Sequence, residues 1–206
     1  MEKQGMLVII SGPSGTGKGT VVKELVEKQQ QFALSVSATT RSPRHNEIDG
    51  VHYYFYTREV FEKMKNENQL LEWAEFCGNY YGTPKKYVEQ QMAEGKNVIL
   101  EIEVQGALQI KKIYKDCILV FMIPPSAKEL KKRLTERATE DEQTIQRRIN
   151  RAIEEMEFVP QYDYIVINDT VCCAVNAICD IVKVEGMKSS RNINIKQQFK
   201  GEITSC

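Results

Sequence analysis

The chain has 206 residues, 42% of them hydrophobic, and its 28 Lys+Arg balance 28 Asp+Glu to a formal net charge of zero. That length can bury one sizeable core with small inserted subdomains. The even charge excludes a global basic field for nucleic acid or an anionic membrane surface, and every apolar run is too short to span a bilayer.

In chain order, the first segment Met1-Glu2-Lys3-Gln4-Gly5 leads straight into Leu7–Ile10, with no leader pattern before it. Leu7–Ile10, Val98–Val104, Ile118–Ile123 and Tyr164–Ile167 are apolar on both faces and predict buried strands of a parallel sheet. Val21, Val22, Leu25 and Val26 mark a helix starting at the glycine-rich turn, and Pro84–Gly95 marks another with Pro near its start and Gly at its end. Ser126-Ala127-Lys128-Glu129 and Thr139-Glu140-Asp141-Glu142 fit capping boxes and predict helix starts. A last helix is expected from the Asn168-Asp169-Thr170 turn toward Lys188, followed by a polar tail, 189–206, that should fray.

Two stretches break the alternation. Residues 37–87 are rich in aromatics, glycine and charge, and residues 126–157 are strongly charged. The expectation is an α/β three-layer core built from about 1–36, 88–125 and 158–188, a substrate-binding subdomain at about 37–87, and a helical lid at about 126–157. Both additions should sit at the carboxyl edge of the sheet, where doubly wound folds bind ligands.

Six cysteines, at 77, 117, 172, 173, 179 and 206, form no C-x-x-C pair and suggest neither zinc nor disulfides. They are expected to be buried small hydrophobes in a reducing cytoplasm. His45 and His52 are the whole histidine complement, which excludes a histidine-rich metal site.

Gly12-Pro13-Ser14-Gly15-Thr16-Gly17-Lys18 directly follows the first strand. A buried strand breaking into a glycine-rich loop that ends in lysine is a P-loop, in which backbone N–H groups converge on one anion and lysine adds charge. The following helix presents its positive end to the same phosphates. Position 19 is Gly where Ser or Thr usually touches Mg²⁺, and Thr20 lies one residue later. Magnesium is then expected to be held mainly by nucleotide phosphates and water.

A second anion site is suggested by Ser37-Ala38-Thr39-Thr40-Arg41-Ser42-Pro43-Arg44, where two guanidiniums stand among hydroxyls. After it come Gly50-Val51-His52-Tyr53-Tyr54-Phe55, Leu71-Glu72-Trp73-Ala74-Glu75 and Gly78-Asn79-Tyr80-Tyr81-Gly82-Thr83-Pro84. With the P-loop and Leu100-Glu101-Ile102-Glu103-Val104-Gln105-Gly106, this run resembles the guanylate kinases, from about residue 5 to residue 185.

The resemblance implies Mg²⁺-dependent transfer of the ATP γ-phosphate to GMP, and to dGMP, in the cytoplasm, with no nucleic acid or membrane partner. It implies that residues 12–20 and Lys18 hold ATP, joined by lid Arg133, Arg137 and Arg148 and by Asn168. Lys18, Arg41, Arg137 and Arg148 would act in catalysis. Ser37, Arg41, Arg44, Tyr53 and Tyr81 would hold the GMP phosphate, with Glu47 supporting the arginines. Glu72 and Thr83 would meet guanine, with Glu103 nearby. Thr20 and Glu101 are the weaker candidates toward Mg²⁺, Glu101 through water.

Guanine's adjacent N1–H and N2–H₂ donors suit one carboxylate, whereas adenine turns a lone pair toward it. Asn46 stands where glycine is usual, and asparagine tolerates a left-handed backbone. Arg151, able to pair with Glu155 four residues on, reads as a solvated helix face. The readings left open are a non-catalytic guanylate-kinase-like interaction module and a kinase for AMP, UMP or dTMP. The sequence is compatible with a monomer or a homo-oligomer.

Overall fold

The computed structural model describes residues 4–76, 78–135, 142–193, 195–196 and 199–200. β1 (Leu7–Ser11) is buried along its whole length. It lies at the centre of a five-stranded sheet ordered β2 (Phe32–Leu34), β7 (Asn97–Glu101), β1, β8 (Ile118–Ile123), β9 (Tyr164–Ile167). All four pairings are parallel.

Alternation along β1 splits its side chains between two cores, as strand geometry dictates. Val8 and Ile10 join Val21, Val22 and Leu25 of α1 (Lys18–Lys28), and Val175, Ile178 and Val182 of α7 (Val171–Glu185). Leu7 and Ile9 face the other way, onto Val88 of α3 (Lys85–Ala93) and onto Ala107 and Ile110 of α4 (Val104–Ile113). Helices therefore cover both faces, and the expected three-layer α/β core with a parallel central sheet is present.

A second sheet of four strands is ordered β4 (Tyr54–Phe55), β3 (Ala38–Thr39), β6 (Asn79–Pro84), β5 (Leu70–Phe76). It is antiparallel at β3–β6 and β5–β6 and parallel at β3–β4. α2 (Arg58–Asn66) buries Phe61 against Tyr80 and Ala38, and Trp73 stands edge-on to the Tyr80 ring. Thr57 caps α2, its hydroxyl accepting from the Val60 N–H.

α5 (Ala127–Thr135) and α6 (Glu142–Met156) pack on each other through Leu130, Leu134, Ala152, Ile145 and Ile149. Ser126 Oγ accepts from the Glu129 N–H, the expected cap. The second expected cap, at Thr139, lies outside the described residues.

Several expectations are corrected. β7 ends at Glu101 rather than continuing to Val104: Glu103 takes the N-cap position of α4, and Val104, Gly106, Ala107 and Ile110 bury a helical face. α7 stops at Glu185 instead of reaching Lys188. Residues 189–191 do not fray: Arg191 donates to the Asp116 carbonyl and to Glu185, whose side chain is buried. Cys117 is buried as expected and Cys179 partly so, but Cys172 and Cys173 are exposed on the first turn of α7. No helix among the described residues is long and apolar enough to cross a membrane.

Candidate active site

The pairing of Ile10 with Glu101 sets the last residue of β7 level with the end of β1, just where the chain turns into the P-loop. Lys18 Nζ folds back on the carbonyls of Gly12 and Pro13, so the ammonium sits inside the curve of its own loop. Gly17 caps α1 with a left-handed backbone, φ 85°. A β-carbon there would come within 2.7 Å of Asn168 Nδ2. Its absence lets that amide donate to the Thr16 carbonyl at 2.7 Å. Asn168, the first residue after β9, is buried and braces the loop from below.

The lid reaches the same loop. Arg133 Nη1 donates to the Thr16 carbonyl at 3.4 Å while its Nε holds Glu129. Arg148 of α6 donates to Ser14 Oγ. Arg133 and Arg148 therefore stand beside the P-loop, whereas Arg137 lies outside the described residues.

The second sheet presents a cationic, phenolic pocket. Arg41 forms a bidentate pair with Glu47, at 2.8 and 2.9 Å. Glu47 Oε2 also accepts the Arg44 N–H at 2.6 Å. The hydrogen bonds from Arg41 and Arg44 hold the Glu47 carboxyl down at about 2. The Arg41 guanidinium lies 5.4 Å from the Tyr53 ring centre, and Tyr53 is edge-on to Tyr81 at 6.1 Å. Glu47 and then Tyr81 raise the Arg41 pKa, so this cation stays charged. Ser37 is half-buried at the entry to β3, and its carbonyl accepts from the Tyr54 N–H. Asn46 has φ 72°, the left-handed backbone expected of it.

Beyond this pocket lies Glu72, 7% exposed on β5. Its hydrogen-bond partner is Thr83 of β6, whose hydroxyl donates to Glu72 Oε1 at 2.7 Å. Burial pushes the carboxyl up to about 7, against the downward pull of Thr83. A buried carboxylate with one short donor still has acceptor capacity to fill, and two adjacent N–H groups would fill it.

Glu101 keeps an open face to the cleft, yet removal from bulk water raises its carboxyl while Lys18 pulls it down and Glu103 pushes it further up. Its two oxygens lie 3.5 and 3.8 Å from where a β-carbon at Gly19 would stand. The buried Thr16 Oγ1 has no hydrogen-bond partner among the described residues. The Glu101 carboxylate, beside a position 19 that carries no side chain, is a hard oxygen donor that fits Mg²⁺ when nucleotide phosphates and water supply the rest. Thr20 is exposed on α1, beside this cleft. Among the described residues, no group of three or more His, Cys, Asp or Glu could hold a metal ion by itself.

Against this geometry, the guanylate kinase family model matches residues 4–185. The chain belongs to the guanylate kinase family. It is 50% identical to the guanylate kinase of Desulfitobacterium hafniense over 190 residues, covering 92% of this chain and 95% of that one. It is 48% identical to the guanylate kinase of Bacillus subtilis over 192 residues, covering 93% and 94%. Among solved structures, the guanylate kinase from Anaplasma phagocytophilum superposes with a TM-score of 0.79 at 29% identity, covering 97% of this chain and 95% of that one.

Within this family member, three features escaped the sequence. Gly106, quoted above only as part of a motif, supports Glu72: a β-carbon there would come within 2.8 Å of Glu72 Oε2. Glu103 is largely exposed at the head of α4 and ion-paired to Arg151 at 3.2 Å. Arg151 is not simply a solvated helix residue. It holds Glu155 as expected, at 3.1 Å, and reaches Glu103 as well. Only the i,i+4 part of that arrangement leaves a trace in the sequence.

Proposed function

We propose that the chain transfers the γ-phosphate of ATP to GMP, giving ADP and GDP. The observation that carries the reading is Glu72, a buried carboxylate with one hydroxyl donor among the described residues, beyond an Arg41–Tyr53–Tyr81 pocket. ATP occupies the P-loop, with residues 12–20 around its phosphates and Asn168 beside its base. GMP places its phosphate on Ser37, Arg41, Arg44, Tyr53 and Tyr81. Its guanine turns N1–H and N2–H₂ to Glu72, with the Thr83 hydroxyl beside them.

The acceptor oxygen is already ionised near neutral pH, so no general base is needed. It attacks the γ-phosphorus in line, and the bond from that phosphorus to the β-bridging oxygen breaks as ADP leaves. This chain's residues contribute position and charge: Lys18 on the departing side, Arg41 on the acceptor side, and lid Arg133, Arg137 and Arg148 around the transferring group. Mg²⁺ bound with ATP would neutralise phosphate charge, and Glu101, with Thr20 more weakly, would hold it through water. Lid closure excludes water, which would otherwise hydrolyse ATP. dGMP serves as acceptor as well. The enzyme acts in the cytoplasm, without nucleic acid or membrane, as a monomer or homo-oligomer.

Coupled ADP formation tests the reading. ATP with GMP should give turnover far above that with AMP, UMP or dTMP. The absence of any GMP-dependent signal contradicts it and favours the interaction module.

A further inference from the structure

We propose that Arg151 couples the two substrate pockets, so that ATP and GMP tighten each other's binding through its ion pair with Glu103. The inference rests on the functional reading above and extends it to a positioning residue outside both pockets.

Two short helical segments carry the connection. On α6, Arg148 donates to Ser14 of the P-loop, and Arg151, one turn further on, donates to Glu103 Oε2 at 3.2 Å. Glu103 is the N-cap of α4, and in the first turn of that helix Gly106 abuts the Glu72 carboxylate. A shift of α4 that follows guanine binding at Glu72 is thereby felt by Glu103, and Arg151 passes it to the helix that contacts the P-loop. The reverse path runs from the P-loop to Glu72, as linkage requires.

Arg151 also separates two carboxylates. Its Nε holds Glu155 at 3.1 Å, and that side chain is only 13% exposed. Glu103 and Glu155 therefore face each other across one guanidinium. Without it, two like charges would oppose the approach of α6 to α4. The Arg151 and Glu103 side chains are 47% and 71% exposed, so the pair is a modest bias rather than a lock. A modest bias suits a lid that must reopen after each turnover.

The test is calorimetric titration of GMP into the full chain, with and without adenylyl imidodiphosphate and Mg²⁺. The wild type should bind GMP at least about fivefold more tightly with the ATP analogue present, the low end of ordinary coupling. Arg151→Ala should bind each nucleotide alone within about twofold of wild type and lose the tightening, and Arg151→Lys should regain part of it. An Arg151→Ala protein that keeps the full tightening overturns the proposal. So does one that loses affinity for each nucleotide separately, or a wild type whose two nucleotides bind independently. A wild type that binds no GMP overturns the functional reading instead.

Discussion

Glu72 Oε2 lies 2.8 Å from the point a β-carbon on Gly106 would occupy. The contact is with the far end of a flexible side chain, so the fold can absorb a methyl group there by moving the carboxylate. Alanine also favours a helix over glycine by about 1 kcal/mol. Gly106→Ala should therefore melt no lower than wild type while its KM for GMP rises about tenfold or more. Calorimetric melting and steady-state kinetics check both halves, and unchanged GMP kinetics would separate Gly106 from base recognition.

The same carboxylate titrates near 7 when folded and near its ordinary 4.5 when unfolded. The folded chain thus binds the extra proton between these values, and its stability falls as pH rises through that window. The full penalty, on the order of 3 kcal/mol at most, is present above about pH 7. Glu72→Gln should raise the Tm at pH 8 and leave it nearly unchanged at pH 4.5. It should also raise the KM for GMP sharply.

In the proposed complex guanine is held by the ionised form of Glu72, so GMP binding below pH 7 should release a proton. Affinity should weaken by up to about tenfold per pH unit below that point. Titrations of wild type and Glu72→Gln in buffers of different ionisation enthalpy separate this proton from the titration of the GMP phosphate itself. Equal proton release in both proteins would remove Glu72 from the guanine contact.

Arg41 is aimed by Glu47, which it grips through two nitrogens and which also accepts the Arg44 N–H. Glu47→Gln keeps one acceptor but loses the charge that orients the fork. The KM for GMP should rise several-fold while the KM for ATP stays put. A matching rise for ATP would assign Glu47 to general structure.

Lys18 sits within the curve of the P-loop, on the carbonyls of Gly12 and Pro13. Lys18→Ala should lose turnover by about two orders of magnitude or more. Near-normal turnover would refute its role at the transferring phosphate.

The P-loop was legible because its signal is local: a buried strand, three glycines and a lysine in one unbroken run. Asn46 was legible for the same reason, since a left-handed backbone leaves few choices of residue. α4 was misread because Ile102 and Val104 alternate with Glu101 and Glu103 like a strand, while the helical set Val104, Ala107 and Ile110 begins inside that same run. The support Gly106 gives Glu72 and the grip of Arg151 on Glu103 join residues from different elements, the latter pair 48 positions apart. Such contacts exist only once β5, α4 and α6 are packed, so no spacing rule could reveal them.

In the proposed complex a glycine-turn pocket and a phenol–guanidinium pocket face each other across the edge of the parallel sheet. A crystal structure with GMP, adenylyl imidodiphosphate and Mg²⁺ tests it most directly. The GMP phosphate should lie within hydrogen-bond distance of Arg41, Arg44 and Tyr81, with guanine N1 and N2 on Glu72 and the γ-phosphate beside Lys18. A GMP phosphate lying away from those three side chains would contradict it.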